Sequence, residues 1–469
     1  MLAPFLYRRL PTALQSVACS VEGRRRNRYL RTPEATRVFQ AAVARRNLAA
    51  DELAAVRDER LRYFVRHAFR TVPFYERLAA SLRLNPEAIR SFDDLQLLPI
   101  LTAADLQARP ADFISRAVAK SACLPQRRLN ADGAAAALPM SRSAAIEAVA
   151  MQWRFQVAHG IEQGTWSCYF GGQNVVPRGQ SRPPFWRTNY PERRIIFSPY
   201  HLSEQTVEAY VDALNHYQCP WLHGQPHVLG NLSELVTAAG LTIDYPLRWI
   251  TTHGETLLGT QRRAIRRAFG LSPRISYAAP CGLATIMEEP GGRLLVNEDH
   301  AAVEFLESAV DGIRRIVGTN LSNLAAPLLR YDTGDTVTVS NRLVQRHLPR
   351  EVTSLTGYSR DLIVLPSGVR IGRLERMFDD LIAVRTFLIV QHADLSIDID
   401  IWTAPGFSLE DDVAVKDRVA ARFGDARWLI NYRGDEPMIV RGKLQVLISE
   451  AAQPSRAVVQ PEDDIVVLE

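Results

Sequence analysis

Lysine is almost missing from this chain. Lys120, Lys416 and Lys443 are the lysines among 56 basic residues, and the rest are arginine. Wherever any positive charge would serve, the sequence uses arginine, so each lysine stands out as a chemically distinct, compact ammonium. Cysteine is scarce too. The five, Cys19, Cys123, Cys168, Cys219 and Cys281, are scattered and form no Cys-x-x-Cys pair. That argues against a disulfide framework and a structural zinc site, and suits a reducing cytoplasm. No apolar run approaches the roughly 18 residues of a membrane span. The opening stretch is broken by Arg8 and Arg9 and lacks the apolar core of a signal peptide. Strong charge is also lacking. A net charge of +5 over 469 residues gives little reason to expect nucleic acid or a membrane as partner. The Arg24-Arg25-Arg26 run and the Arg262, Arg263, Arg266, Arg267 pattern read as solvated faces.

What is present fits one large and one small domain, at 47% hydrophobic and 23% charged residues. Residues 1–120 read as mainly helical, with Glu34 to Val65 in helical periodicity and a helix ending at Pro73. Leu97 to Thr102 reads as extended. Ser141 reads as the cap of a helix through about Val157. Ser203 reads as the cap of another, whose apolar face is Val207, Tyr210, Val211 and Leu214. Arg248 to Thr252 reads as a buried strand that leads through His253-Gly254-Glu255 into a helix ending at Gly270, a parallel α/β signature. His253 therefore takes a strand-end position, where ligands gather in open α/β sheets. From about residue 362 the pattern is strand (Thr386–Val390), strand (Leu395–Trp402), helix (Ser408–Phe423) and strand again.

The most informative stretch is Pro327-Leu-Leu-Arg330-Tyr331-Asp332-Thr333-Gly334-Asp335, followed by alternating Thr336 to Ser340. It predicts a strand, a tight Asp-Thr-Gly-Asp turn and a second strand. Asp335 would sit where the turn ends, aimed at a pocket. A carboxylate there suits the paired hydroxyls of a ribose, through charge-assisted bonds of about 1.5–3 kcal/mol each.

This run resembles the Tyr-x-Thr-Gly-Asp motif of adenylate-forming enzymes. From about residue 10 to 450 the chain resembles their phenylacetate–CoA ligase group and its CapK-like relatives, through His67-Ala68, Val72-Pro73-Phe74-Tyr75, Leu98-Pro99-Ile100-Leu101-Thr102 and the motifs below. The resemblance implies an α/β fold: a large N-terminal domain (1–356, with a helical lead-in over 1–120 and an α/β core over 121–356) and a small mobile α+β domain (357–469) hinged near Asp361. It implies an AMP-forming acid–thiol or acid–amine ligase, with ATP and Mg2+ as cofactors and CoA as one acceptor. The partner is a small carboxylic acid or activated acyl donor, and a homodimer is compatible with the reading. By resemblance, Gly254, Glu255, Tyr277, Asp335, Asp361 and Gly133 fall on the nucleotide. Gly224, His223 and Ala279 border the acyl pocket, and Lys443, in Gly442-Lys443, steadies the transition state. His253 and Cys281 complete the candidate catalytic set, with no metal ligand assigned.

Several positions depart from the family pattern. The family's Gly- and hydroxyl-rich phosphate loop is replaced by Asn130-Ala131-Asp132-Gly133-Ala134-Ala135-Ala136-Ala137, which puts a carboxylate where phosphates would lie. Cys281 replaces the magnesium-binding Glu, and Tyr358 replaces a ribose-binding Arg. Cys281 reads either as a filler of the vacated space or as an acyl-accepting nucleophile. Two functions stay open. One is a carboxylate-activating ligase-like enzyme in which Glu288 or Glu289 takes over the metal. The other is a repurposed member that does not use ATP and works on a preactivated acyl group, or serves beside a partner enzyme.

Overall fold

Caps and prolines cut the N-terminal region into separate helices. In the computed structural model, the single run expected from Glu34 to Val65 is two helices, Pro33–Arg45 and Ala50–Thr71. The second is opened by Glu52, whose carboxylate accepts the Ala49 N–H at 2.9 Å. It stops just before Pro73, which begins the next helix, Pro73–Leu82, at a position that needs no N–H. The structure describes residues 4–128, 137–171, 175–308, 310, 312–339, 349–358, 363–367, 370–371, 374, 377–434, 439–440, 443–444 and 446–451. Two compact units divide them: residues 1–27, 163–275 and 360–469 in the first, and residues 28–162 and 276–359 in the second.

The first unit holds the parallel α/β layer. Strands Ser167–Phe170, Arg194–Phe197, Trp221–Gly224 and Trp249–His253 run parallel, and Trp186–Asn189 adds an antiparallel edge. Helices Val207–Tyr217, Pro226–Ala238 and Gly259–Phe269 connect or follow the strands, and Gly270 ends the last with φ of 71°. The predicted face Val207, Tyr210, Val211 and Leu214 is buried. Its helix begins later than expected: Ser203 lies in a preceding turn, its N–H bonded to Thr206 Oγ1 at 2.9 Å, and Thr206 is the cap residue. The C-terminal part of the unit is a four-stranded sheet in the order Trp428–Arg433, Ile397–Thr403, Val384–Gln391, Leu447–Ser449, with the helix Leu409–Phe423 beside it. Ser408 and Asp411 cap that helix reciprocally.

The second unit combines helices with antiparallel strands. Helix Arg142–Ala158 is capped as predicted, with Ser141 Oγ accepting the Ala144 N–H at 3.2 Å. Strands Ala301–Glu307, Ile313–Asn320, Tyr331–Thr338 and Ser354–Tyr358 form one antiparallel sheet. Leu101 pairs with Tyr331, which accounts for the extended Leu97–Thr102 region. Here the sequence expectation of a turn at Asp332-Thr333-Gly334-Asp335 is corrected. Tyr331–Thr338 is one continuous strand carrying a bulge: Val317 pairs with Asp332, and Arg315 with Thr336. The bulge takes up the extra residues at Gly334, whose φ is 80°. Among the described residues, no helix is long and apolar enough to cross a membrane.

Candidate functional site

The bulge sets one candidate site, in the second unit. Thr333 holds it from inside, donating its hydroxyl to the Ile316 carbonyl at 2.9 Å while accepting the Asp335 N–H at 3.1 Å. Asp332 Oδ1 accepts the Gly334 N–H at 3.0 Å. Asp335 is thereby fixed at the backbone, and its Oδ2 accepts the Tyr277 phenol at 2.7 Å. Burial and the adjoining carboxylate push the Tyr277 phenol well above its ordinary pKa, so it stays a donor. The structure thus joins two residues that are 58 positions apart in sequence.

Beyond Tyr277 the chain turns tightly. The Ala279 N–H donates to the Ala284 carbonyl at 2.8 Å, and Ala279 and Cys281 are both buried. Cys281 takes φ of 57°, a left-handed conformation that costs a non-glycine residue energy. Its carbonyl accepts Asn320 Nδ2 at 3.1 Å. Neither glutamate proposed to replace the missing acid is presented at this turn. Glu288 ends the strand Thr285–Glu288, roughly 10 Å along from its start. Glu289 is ion-paired with Arg46. Among the described residues no three His, Cys, Asp or Glu side chains gather as a metal site. A thiol is a poor ligand for a hard, oxygen-seeking cation, so the residues at Cys281 do not fit magnesium.

A separate candidate cluster lies in the first unit, at the C-terminal ends of its parallel strands. Tyr169, His223 and His253 come from three neighbouring strands and form one ring cluster. The His223 and His253 centroids are 4.5 Å apart, and Tyr169 lies 5.6 Å from His223 and stacks on His253 at 5.9 Å. Thr251 Oγ1 anchors it, lying 2.7 Å from His223 Nδ1 and accepting Trp221 Nε1–H at 2.8 Å. Burial, with His253 and Arg194 nearby, pushes His223 well below its ordinary pKa and keeps it neutral. Gly224 follows directly. A Cβ there would stand 2.1 Å from the Phe170 carbonyl oxygen, so the close strand crossing admits only glycine.

Glu255 is held by His227. His227 Nδ1 lies 2.9 and 2.8 Å from its two carboxylate oxygens. His227 stands in the first turn of helix Pro226–Ala238, where a carboxylate also complements the helix dipole. His223 belongs to a strand and His227 to a helix. Gly254 follows the Trp249–His253 strand with φ of 83°. Lys443 lies on a two-residue strand paired with Ile439–Val440. Gly133, Asp132 and Asp361 lie outside the described residues. Thr251, Tyr169, Thr333 and the His227–Glu255 pair are additions that the motifs did not flag. Of these, Thr251 lies in a predicted strand, Arg248 to Thr252, and Thr333 in the predicted turn.

No family model matches the chain. The Protein CapK of Staphylococcus aureus is 22% identical over 350 residues, which cover 74% of this chain and 76% of that protein. Among solved structures, 2-hydroxyisobutyryl-CoA ligase in the postadenylation state, in complex with R3-HIB-AMP, superposes with a TM-score of 0.66 at 16% identity, over 86% of this chain and 90% of that one. An open conformation of that ligase with 2-HIB-AMP and CoA gives a TM-score of 0.53 at 15% identity, over 86% and 92%. The fold is that of the adenylate-forming ligases. In sequence the chain is similar to Protein CapK, the relative that its motifs implied.

Proposed function

We propose that this protein is a carboxylate-activating, ligase-like enzyme that binds an acyl-adenylate and passes the acyl group to CoA, a carrier thiol or an amine. The observation that carries this reading is the Tyr277–Asp335 hydrogen bond on the Thr333-anchored bulge. A carboxylate accepts several donors, so Asp335 can meet the ribose hydroxyls while Tyr277 orients it and offers its ring to the base. In this reading Gly254 and Glu255 border the base, with Glu255 steadied by His227. His223, Gly224 and Ala279 border the acyl group, His253 belongs to the catalytic set, and Lys443 supplies the positive charge that favours the adenylate transition state. ATP, when bound, would supply the adenylyl group and pyrophosphate as leaving group. No step is assigned to magnesium.

A second reading is favoured by Cys281 itself. A buried thiol stands where the relatives' pattern has a metal-binding acid. It suits a repurposed enzyme that receives a ready-made adenylate or thioester and does not cleave ATP.

Calorimetric titration with AMP and with ATP, with and without magnesium, tests both. The first reading expects AMP and ATP to bind, and Asp335→Asn to weaken AMP by roughly 10- to 100-fold, the loss of one to two charge-assisted bonds. AMP binding without ATP binding would select the second reading. If neither nucleotide binds the parent protein, the adenylate assignment fails.

A further inference from the structure

The helix Thr12–Arg26 has one face fixed to its own unit and one turned to solvent. Gln15, Cys19, Glu22 and Gly23 are buried on the inner face. Gln15 accepts the buried Arg187 Nε–H at 2.7 Å, and Ser20 Oγ donates to the Thr188 carbonyl at 3.3 Å. These bonds set the helix rotation, so the outer face is a defined surface. On it stand Leu14, Val17 and Val21, 50%, 55% and 64% exposed, at the i, i+3, i+7 spacing of a single stripe. Leu6, on the short preceding helix Pro4–Arg9, is 54% exposed. Among the described residues fifteen large apolar side chains are exposed, and four of them fall between residues 6 and 21.

Charge is concentrated in the same place. Residues 1–27 contain five arginines, Arg8, Arg9, Arg24, Arg25 and Arg26, and one acid, Glu22. This segment therefore carries four of the chain's five net positive charges. Its acid does not face out. Glu22 is 8% exposed and clamped by Arg25 at 2.6 Å and Arg26 at 2.9 Å. The outer surface is thus an apolar stripe with arginines at both ends, the segment's own carboxylate being held inward.

We propose that this helix docks on an anionic lipid surface, with Leu14, Val17 and Val21 entering the headgroup boundary and the arginines meeting lipid phosphates. Apolar insertion and basic attraction are each marginal alone and add to give stable, reversible attachment. The surface does not suit a second copy of the chain, because two such faces would oppose like charges. It is a convex helix about 22 Å long rather than a groove, which suits a plane better than a folded acidic protein. This proposal departs from the sequence expectation that the arginine run is a solvated face and that no membrane partner is involved.

Co-sedimentation of the full chain with vesicles tests the proposal. Phosphatidylglycerol–phosphatidylcholine vesicles should pull the protein down at 0.1 M salt, and pure phosphatidylcholine vesicles should not. Raising salt to 0.5 M should release it, because exposed charges are screened. Val17→Gln/Val21→Gln and, separately, Arg9→Gln/Arg24→Gln should each weaken partitioning at least 10-fold with the unfolding midpoint unchanged. The proposal is overturned if the parent stays in solution with anionic vesicles, or if both variants bind as the parent does. It is also overturned if sedimentation equilibrium shows a dimer that Val17→Gln/Val21→Gln dissociates, or if the face binds only an acidic protein probe such as polyglutamate.

Discussion

Two buried polar clusters, one in each unit, are built differently. In the first unit rings gather: Tyr169, His223 and His253 lean on one another, and a single hydroxyl, Thr251, anchors the cluster. The second buries formal charge. Asp299, 1% exposed, is held by Arg154 and Arg45, and Glu298, fully buried, is held by Arg350 and Arg57. Neutral rings can meet an apolar or acyl group at little desolvation cost. A buried ion network fixes geometry but tolerates no missing partner.

The largest effect should come from breaking the charged side. Burial alone would raise the Asp299 carboxyl, yet Arg154 and Arg45 hold it well below the usual carboxylate range. Arg154→Ala removes a near-buried partner and strands much of that charge. The expected loss is about 3–5 kcal/mol of unfolding free energy, measured by urea denaturation. A loss below about 1 kcal/mol would mean that the network does not fix the second unit, and the contrast would fall.

Protonation sharpens the contrast within the same unit. His300 is 1% exposed, with Nδ1 lying 3.0 Å from Thr285 Oγ1. Burial lowers its pKa to about 4. The folded state thus keeps it neutral, while the unfolded chain protonates near its ordinary value of about 6.5. Stability from this group is complete above that value and is lost as pH falls toward 4. Between pH 7.5 and 5 the loss is about 2 kcal/mol. His300→Gln should remove that part of the pH slope, read by denaturation at the two pH values. An unchanged slope would show that His300 is not held neutral.

How much of this was legible in the sequence depends on how local each feature is. Tyr277 and Asp335 were readable because each lies in a short motif with its own strand pattern, and the strand-end position of His253 followed from periodicity alone. The bulge was not readable. Glycine between two aspartates signals a turn, and the information that the strand continues lies in its register against Ile313–Asn320. The His223–Thr251 and His227–Glu255 contacts each join positions 28 residues apart on different strands or helices, so no local pattern contains them. The membrane-facing stripe was hidden for a related reason. Net charge averages over the whole chain, whereas the arginines and the apolar stripe share one helix.

The smallest and most discriminating effect concerns the ring side. If the cluster depends on one hydroxyl, Thr251→Val, which keeps the shape and removes only that group, should leave both Trp221 Nε1–H and His223 Nδ1 without their partner. Thr251 is 1% exposed, so water cannot easily replace it. The expected cost is roughly 1–2 kcal/mol of stability, the penalty for buried polar groups left unpaired. A purely structural cost could come from any buried threonine, so a second readout is needed. Neutral His223 can accept the Thr251 hydroxyl proton at Nδ1, which places its own proton on Nε2. Nitrogen NMR of the histidine rings should report that tautomer in the parent and in Thr251→Ser, and a mixture in Thr251→Val. A His223 signal identical in all three proteins would mean that the rings hold themselves in place. The first unit would then need no polar anchor, and its contrast with the ion-locked second unit would be greater than the parent structure alone suggests.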